Sequence, residues 1–237
     1  MIDGKKVYAI IAAAGSGKRM NSNISKQIMK IGNMTIIERT ISKFVKSKYV
    51  DEIIVVIKRE EIKKIESIIS SIDSDKCISL KYGGDSREQS NYNGIKDLYG
   101  DCIAVMHDGA RPFIKTKDID EMLEDFKDKS AMILAVPAKD TIKFVDNMKV
   151  ESTPDRSRLY MVQTPQIFKL NILKKAYELY FKESLVVTDD SSLVEALGKK
   201  VFVKIGNYDN IKVTTSEDIK LAETIAMEED DENRKWI

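Results

Sequence analysis

The sequence predicts an α/β fold built on a mostly parallel sheet with helices on both faces. Three observations point there. Apolar, β-branched runs alternate with stretches of helical spacing. The suggestive polar motifs fall just after the apolar runs, where ligands gather in open parallel sheets. The alternation breaks after Pro137 into a hairpin-like arm, about residues 138–158. The chain has 237 residues, enough for one sizeable domain, read as residues 1–227 with an acidic, flexible tail over 228–237.

Element by element, Val7–Ile11 reads as a buried strand. Thr35–Lys46 has helical spacing of Ile36, Ile37, Ile41, Phe44 and Val45. Glu52–Ile57 is a strand, and Glu60–Ile72 a helix with Ile62, Ile65, Ile68, Ile69 and Ile72 on one side. Ile78–Tyr82 is a short strand, Ser86–Tyr99 a helix, and Cys102–Met106 a strand ending at His107-Asp108. Thr116–Phe126 is a helix and Ala131–Val136 a strand. Thr141–Val145, the turn-like Asp146-Asn147 and Lys149–Ser152 form a hairpin, able to bury itself against another subunit. Leu170–Phe181 and Ser191–Leu197 read as helices, and Lys200–Ile205 and Ile211–Val213 as late strands. Ser216–Met227 is a last helix, with Glu217 and Asp218 in its first turn.

Composition excludes several classes. Hydrophobic residues make up 43% and charged residues 32%, the balance of a globular, water-soluble chain, and a net charge of +1 gives no basic field for nucleic acid. Two cysteines without metal spacing and a single histidine argue against a zinc site or a disulfide framework, and fit a reducing cytoplasm. The first apolar run is short and follows Asp3, Lys5 and Lys6, unlike a signal peptide or a membrane span.

The first strand opens into Ala12-Ala13-Ala14-Gly15-Ser16-Gly17-Lys18-Arg19-Met20, then Ser25-Lys26-Gln27. Small residues let backbone N–H groups approach phosphate oxygens, and the cations balance their charge. A Walker loop fails, because Ala12 stands where its first glycine belongs and Arg19 follows Gly17-Lys18. A dinucleotide fingerprint fails at Met20, its third position. A generic nucleotide loop remains, against an ordinary glycine-rich turn with two solvated basic side chains.

Further motifs follow later strands: Gly83-Gly84-Asp85-Ser86-Arg87, His107-Asp108-Gly109-Ala110-Arg111-Pro112, Asp140-Thr141-Ile142-Lys143 and Asn210-Ile211-Lys212. A lone carboxylate such as Asp108 beside a triphosphate suits Mg²⁺, which takes one or two carboxylates plus phosphate oxygens. The plainer alternative is a turn cap or a pair with Arg111. His107 neighbours Asp108 on a strand, so it points to the opposite side and reads as structural. Arg111 and Arg156 can each grip a phosphate in bidentate fashion; for either alone the alternative is a surface salt bridge.

Taken together, the chain resembles the 2-C-methyl-D-erythritol 4-phosphate cytidylyltransferase family. The carriers are Ala13-Ala14-Gly15-x-Gly17-x-Arg19-Met20 with Lys26-Gln27, Gly83-Gly84-Asp85-x-Arg87-x-x-Ser90, His107-Asp108-x-Ala110-Arg111-Pro112 and Asp140-Thr141-Ile142-Lys143. They continue with Thr153-x-Asp155-Arg156-x-x-Leu159, Gln163-Thr164-Pro165-Gln166-x-Phe168, Thr188-Asp189-Asp190 and Asn210-Ile211-Lys212-Val213-Thr214, in order across residues 7–225. The resemblance implies a Rossmann-like sheet and a homodimer joined through the arm. It also implies transfer of CMP from CTP to methylerythritol phosphate, with release of pyrophosphate.

It further implies roles. CTP would lie over Ala13, Ala14, Gly15 and Gly17, with Gly84, Asp85 and Ser90 around cytosine and ribose. Arg19 and Lys26 would bind the phosphates, and Asp108 would sit by Mg²⁺ and the reacting phosphate. Asp108, Arg111, Thr141, Thr164, Thr188 and Lys212 would line the polyol phosphate site, and Arg156 would bind that phosphate in the neighbouring subunit. The attacking phosphate is already anionic, so positioning and cationic stabilisation by Arg19, Lys26, Lys212, Arg156 and Mg²⁺ would carry catalysis rather than a general base. Two residues depart from the family pattern: Ser25 replaces a proline, and Gly109 replaces an alanine and adds backbone freedom beside Asp108. The competing readings are a ribitol-5-phosphate cytidylyltransferase and, in another class, a non-catalytic nucleotide-binding domain.

Overall fold

A computed structural model of the chain describes residues 1–15, 25–183 and 185–234, the last five of these by backbone alone. In chain order the elements are β1 (Val7–Ala12), β2 (Lys30–Ile31), β3 (Met34–Thr35), α1 (Ile36–Val45), β4 (Glu52–Ile57), α2 (Ile62–Ser70), β5 (Cys77–Tyr82) and α3 (Arg87–Ile95). There follow β6 (Ile103–Asp108), α4 (Thr116–Phe126), β7 (Ala131–Pro137), β8 (Phe144–Asp146), β9 (Lys149–Ser152), β10 (Tyr160–Lys169), α5 (Leu170–Glu183), α6 (Asp190–Ala196), β11 (Val201–Ile205) and α7 (Ser216–Arg234).

Seven strands form one sheet in the order β11-β7-β10-β6-β1-β4-β5. All neighbours are parallel except β10, which runs antiparallel to both β6 and β7. Side chains alternate across each strand, which sorts the core into two layers. Val7, Ala9 and Ile11 face α1 and α4 through Ile37, Ile41, Phe44, Met122 and Phe126. Ile10, Ala104 and Met106 face α3, α5 and α6 through Ile95, Leu173, Tyr177 and Leu193. A third, smaller cluster joins Ile31, Ile36, Phe113 and Val213 to Ala222, Ile225 and Ala226 of α7.

Local chemistry sets the helix starts. Thr35 caps α1 in a reciprocal box with Glu38: its hydroxyl accepts from Glu38 N at 3.2 Å, and Thr35 N donates to the Glu38 carboxylate at 3.0 Å. Ser86 caps α3 and Asp189 caps α6 through the amides of Gln89 and Ser192. Each such cap contributes about 1 kcal/mol.

Three expectations change. Tyr160–Lys169 is a ten-residue strand that the sequence reading passed over. Its middle carries Gln163, Thr164, Pro165 and Gln166, and its pairing with β7 slips between Val162 and Gln166. Ile211–Val213 is no strand; Val213 N donates to Ala110 O and its side chain fills the third cluster. The final helix runs past Met227 to Arg234, with Glu229 bonded to Arg39 and Lys43 of α1. β8 and β9 pair as a hairpin that stands clear of the sheet, every residue exposed.

Candidate active site

The sheet register builds the site. Ala12, the last residue of β1, pairs with Asp108, the last of β6, so the first loop and this carboxylate leave the sheet side by side. β5 ends beside them. Gly83 is pressed so closely against this junction that a Cβ there would meet Ala14 Cβ at 2.5 Å and Ser90 Oγ at 2.9 Å. The glycine is what lets β5 close against the first loop.

Two cavities open along this edge. The first, about 520 Å³, is lined by Ala14, Gly15, Lys26, Gly84, Asp85 and Ser90, with Lys58 and Gln27 also on its wall. The second, about 390 Å³, is lined by Arg111, Gln163, Thr164, Gln166 and Thr188. Arg87, Asp108 and Lys212 line both.

Asp108 is the electrostatic centre. Lys212 Nζ lies 2.7 Å from its Oδ2, and Arg111 Nε lies 3.7 Å from the same oxygen. Burial pushes the carboxyl up, but Lys212, then Arg111 and Arg87, outweigh it and hold Asp108 below the usual aspartate range. Lys26 reaches back to the next segment, its Nζ donating to Val213 O at 3.4 Å. Arg111 is steadied by Asn210, whose carbonyl accepts from Nη1 at 2.7 Å and whose side-chain amide donates to Gln163 Oε1 and Thr164 O.

His107 points away from the cavities, as its place on the strand predicts. Its ring is 2% exposed and tilts against Phe44 at 4.9 Å. Burial pushes its pKa down to about 4, so it is neutral near pH 7. Nε2 sits 3.1 Å from Arg111 O, which can only accept, so this nitrogen carries the proton. Nδ1 is then an acceptor for the Thr164 hydroxyl at 3.1 Å, and Thr164 Oγ1 in turn accepts from Asp108 N at 3.0 Å.

A second buried cluster stands behind the cavities. Asp190, 1% exposed, accepts from Arg87 Nη2 at 2.8 Å, from Asn91 Nδ2 at 3.0 and 3.1 Å, and from the Tyr177 hydroxyl. Burial works against the Arg87 charge, but Asp190 and then Asp108 outweigh it and raise its pKa further. Gln166, fully buried, donates to Asp189 and accepts from Ser191 N, fixing the segment beside Thr188.

The sequence expectations distribute unevenly. Ala14, Gly15, Lys26, Gly84, Asp85, Ser90, Asp108, Arg111, Thr164, Thr188 and Lys212 all line one cavity or both. Ala13 does not; it is buried behind the loop with its N–H on Val56 O. The Ser90 hydroxyl serves the loop itself, accepting from Gly84 N at 3.0 Å and donating to Ser86 O at 2.8 Å. Thr141 and Arg156 lie on the exposed arm and line neither cavity, Arg156 donating to Lys139 O. Gly17 and Arg19 lie outside the described residues. Gly109 does not use its freedom: its N–H is held by Ala12 O and its carbonyl by the Thr40 hydroxyl. The sequence reading gave no role to Lys58 or Arg87; each directly follows a strand or its loop, which was the available signal.

An open sheet with a glycine-lined cavity and a second polar cavity, joined by one carboxylate between cations, suits a nucleotidyltransferase, which must bring a nucleotide and a second anion to one edge. The model of the 2-C-methyl-D-erythritol 4-phosphate cytidylyltransferase family matches residues 7–228, and the chain belongs to that family. It is 44% identical over 225 residues to a relative of that name from Clostridioides difficile (strain 630), covering 94% of this chain and 95% of the relative. Among solved structures it is similar to the 4-diphosphocytidyl-2C-methyl-D-erythritol synthase of Anaerococcus prevotii DSM 20548. There the TM-score is 0.85 at 36% identity, over 95% of this chain and 100% of that one. The Francisella tularensis 2-C-methyl-D-erythritol 4-phosphate cytidylyltransferase gives 0.76 at 32%, over 92% and 98%.

Proposed function

We propose that this chain transfers CMP from CTP to 2-C-methyl-D-erythritol 4-phosphate, giving CDP-methylerythritol and pyrophosphate in non-mevalonate isoprenoid synthesis. The observation that carries the reading is the pair of cavities meeting at Asp108 and Lys212. In this reading CTP occupies the first cavity, its triphosphate along the Ala14–Gly15 loop with Lys26, and Arg19 expected beside it. The polyol phosphate occupies the second, among Arg111, Thr164 and Thr188.

The chemistry follows from charge. Two anions must approach, and negative charge builds on the α-phosphoryl oxygens as pyrophosphate leaves. Lys26 and Lys212 lower that repulsion and hold the attacking oxygen in line with the scissile bond. Asp108 keeps Lys212 from swinging away. No general base is needed for a phosphate nucleophile that is ionised at neutral pH.

Among the described residues no group of three or more His, Cys, Asp or Glu is placed to hold a metal. Mg²⁺ needs only one or two carboxylates when phosphates supply the rest, and both ion pairs of Asp108 use Oδ2, so a single-carboxylate site at Asp108 fits. Bound there, Mg²⁺ would neutralise phosphate charge. The exposed apolar side chains of the arm, Ile142, Phe144, Val145, Met148 and Val150, support a homodimer in which the arm crosses to a partner and brings Thr141 and Arg156 to its site. No described helix is long and apolar enough to cross a membrane, and a cytoplasmic place is proposed with the activity.

The test is pyrophosphate release with Mg²⁺ and CTP, comparing methylerythritol phosphate with ribitol 5-phosphate. Release with the first alone is expected. Release with ribitol phosphate alone would move the protein to the other polyol, and silence with both, despite CTP binding, would mark a non-catalytic nucleotide-binding domain.

A further inference from the structure

Among the described residues three line both cavities, and two of them, Asp108 and Lys212, already have roles in the transfer. The third is Arg87. We infer that Arg87 is a further substrate-contacting residue, its guanidinium donating to a non-bridging oxygen of the phosphate at the junction of the two cavities. The inference rests on the transferase reading, in which that junction is where the new phosphate–phosphate linkage forms.

Arg87 stands at the first position of α3, next to the Gly84–Ser86 turn that walls the first cavity. Its Nη2 is tied across to Asp190, at the start of α6, whose preceding residues Thr188 and Asp189 wall the second. The side chain is thus stretched over the seam. Asp190 does not need Arg87 to complete its hydrogen bonds, since Asn91 donates to both of its oxygens and Tyr177 to one. The pair is mutual: Arg87 balances the charge of a 2% exposed carboxylate, and that carboxylate, fixed from behind by two neutral donors, anchors one arm of a guanidinium whose side chain remains 33% exposed. The fork is not saturated either, because Nη1 is buried with no partner.

An arginine anchored by a carboxylate at one corner, with donors left over and two cavities in front of it, is organised for a tetrahedral oxyanion. Asp108, the other carboxylate that acts on Arg87 at the seam, attracts it but makes no ion pair with it; Lys212 and Arg111 hold that carboxylate. Arg87 keeps its proton throughout and acts only as donor and charge, while Asp190 is its positioning residue.

The variants are Arg87→Ala, Arg87→Lys and Asp190→Asn, assayed in the full chain with Mg²⁺. Arg87→Ala is expected to lower kcat about 100-fold, the scale for losing one preorganised donor at developing charge. Free guanidinium, but not equal sodium chloride, should restore part of it. Arg87→Lys is expected to keep the fold and stay well below wild type, since an ammonium cannot hold Asp190 and reach the seam together. Asp190→Asn should lower kcat with a smaller change in KM. Binding gives an arm independent of turnover: CTP affinity should weaken about tenfold in Arg87→Lys, with cytidine affinity unchanged. Wild-type silence with every polyol phosphate would sink the transferase reading alone, and the CTP–cytidine comparison would still decide Arg87. Turnover within threefold of wild type, or equal weakening of CTP and cytidine, would overturn the inference.

Discussion

The hydroxyl of Thr164 donates to Nδ1 of His107, and the direction of that bond is set two bonds away. Arg111 O can only accept, so His107 carries its proton on Nε2 and has a lone pair to offer at Nδ1. Thr164 Oγ1 then accepts the amide of Asp108. A buried imidazole thus ties three cavity-lining segments together without facing the cavity itself.

This arrangement makes stability depend on pH. His107 is held at about 4, below its ordinary value of 6.5, so between those values the unfolded chain binds a proton that the native chain refuses. The stability from this residue is complete above pH 6.5, falls as pH drops, and is gone below about 4. Between pH 6.5 and 5 the loss is on the order of 2 kcal/mol. Asp108, lowered as well, adds loss only at more acid pH. Urea unfolding at pH 6.5 and 5 should show a shallower slope for His107→Gln than for wild type. Equal slopes would refute the account.

Lys212 and Lys26 are reached from different ends of the chain yet meet at one edge of the sheet. Lys212→Ala and Lys26→Ala should each cut turnover by about two orders of magnitude or more, with circular dichroism unchanged. Near-normal turnover in either would remove the role assigned to it.

Gly94, in α3, lies against the sheet where a Cβ would sit 2.7 Å from Ile10 Cγ2 and 3.0 Å from Val56 Cγ2. Alanine would gain up to about 1 kcal/mol of helix propensity. Overpacking a fixed core costs about 1–3 kcal/mol, and here it wins. Gly94→Ala should lower the urea midpoint; a raised midpoint would show that the layer can yield.

Glu229 accepts from Arg39 at 3.3 Å and Lys43 at 2.9 Å, and Arg39 is only 4% exposed. Removing the carboxylate weakens the charge balance of a nearly enclosed guanidinium. Glu229→Gln should therefore destabilise the protein by roughly 1–3 kcal/mol, with amide exchange in α7 rising first. Unchanged exchange there would mean that the apolar contacts of Ala222 and Ile225 hold the helix alone.

The alternation of strands and helices was legible because the inner strands β1, β4, β6 and β7 are buried on both faces and read as apolar runs, while the edge strands β5 and β11 are less buried but keep their β-branched residues. β10 escaped for the opposite reason. Gln163, Thr164 and Gln166 are buried polar residues whose partners, Asn207, His107 and Asp189, are far away in sequence. Ile211–Val213 misled in turn: its alternation reflects packing under α7 rather than pairing in a sheet. The motif residues at strand ends were legible as a group. Arg87 was legible as the end of one such motif but its role was not, because a basic residue at a helix start looks solvated until Asp190, 103 residues later, is seen to hold it.

The third cluster gives α7 an unusual position in time. It is synthesised after every element that it supports, yet it packs beneath the hairpin that follows Lys26 and beneath Val213, next to Lys212. While the chain is still growing, the sheet and its outer helices can assemble in sequence order, but neither lysine has its floor. The footing of both lysines therefore depends on a helix that lines neither cavity, so damage to α7 would reach the phosphate-binding edge without touching a residue of its wall.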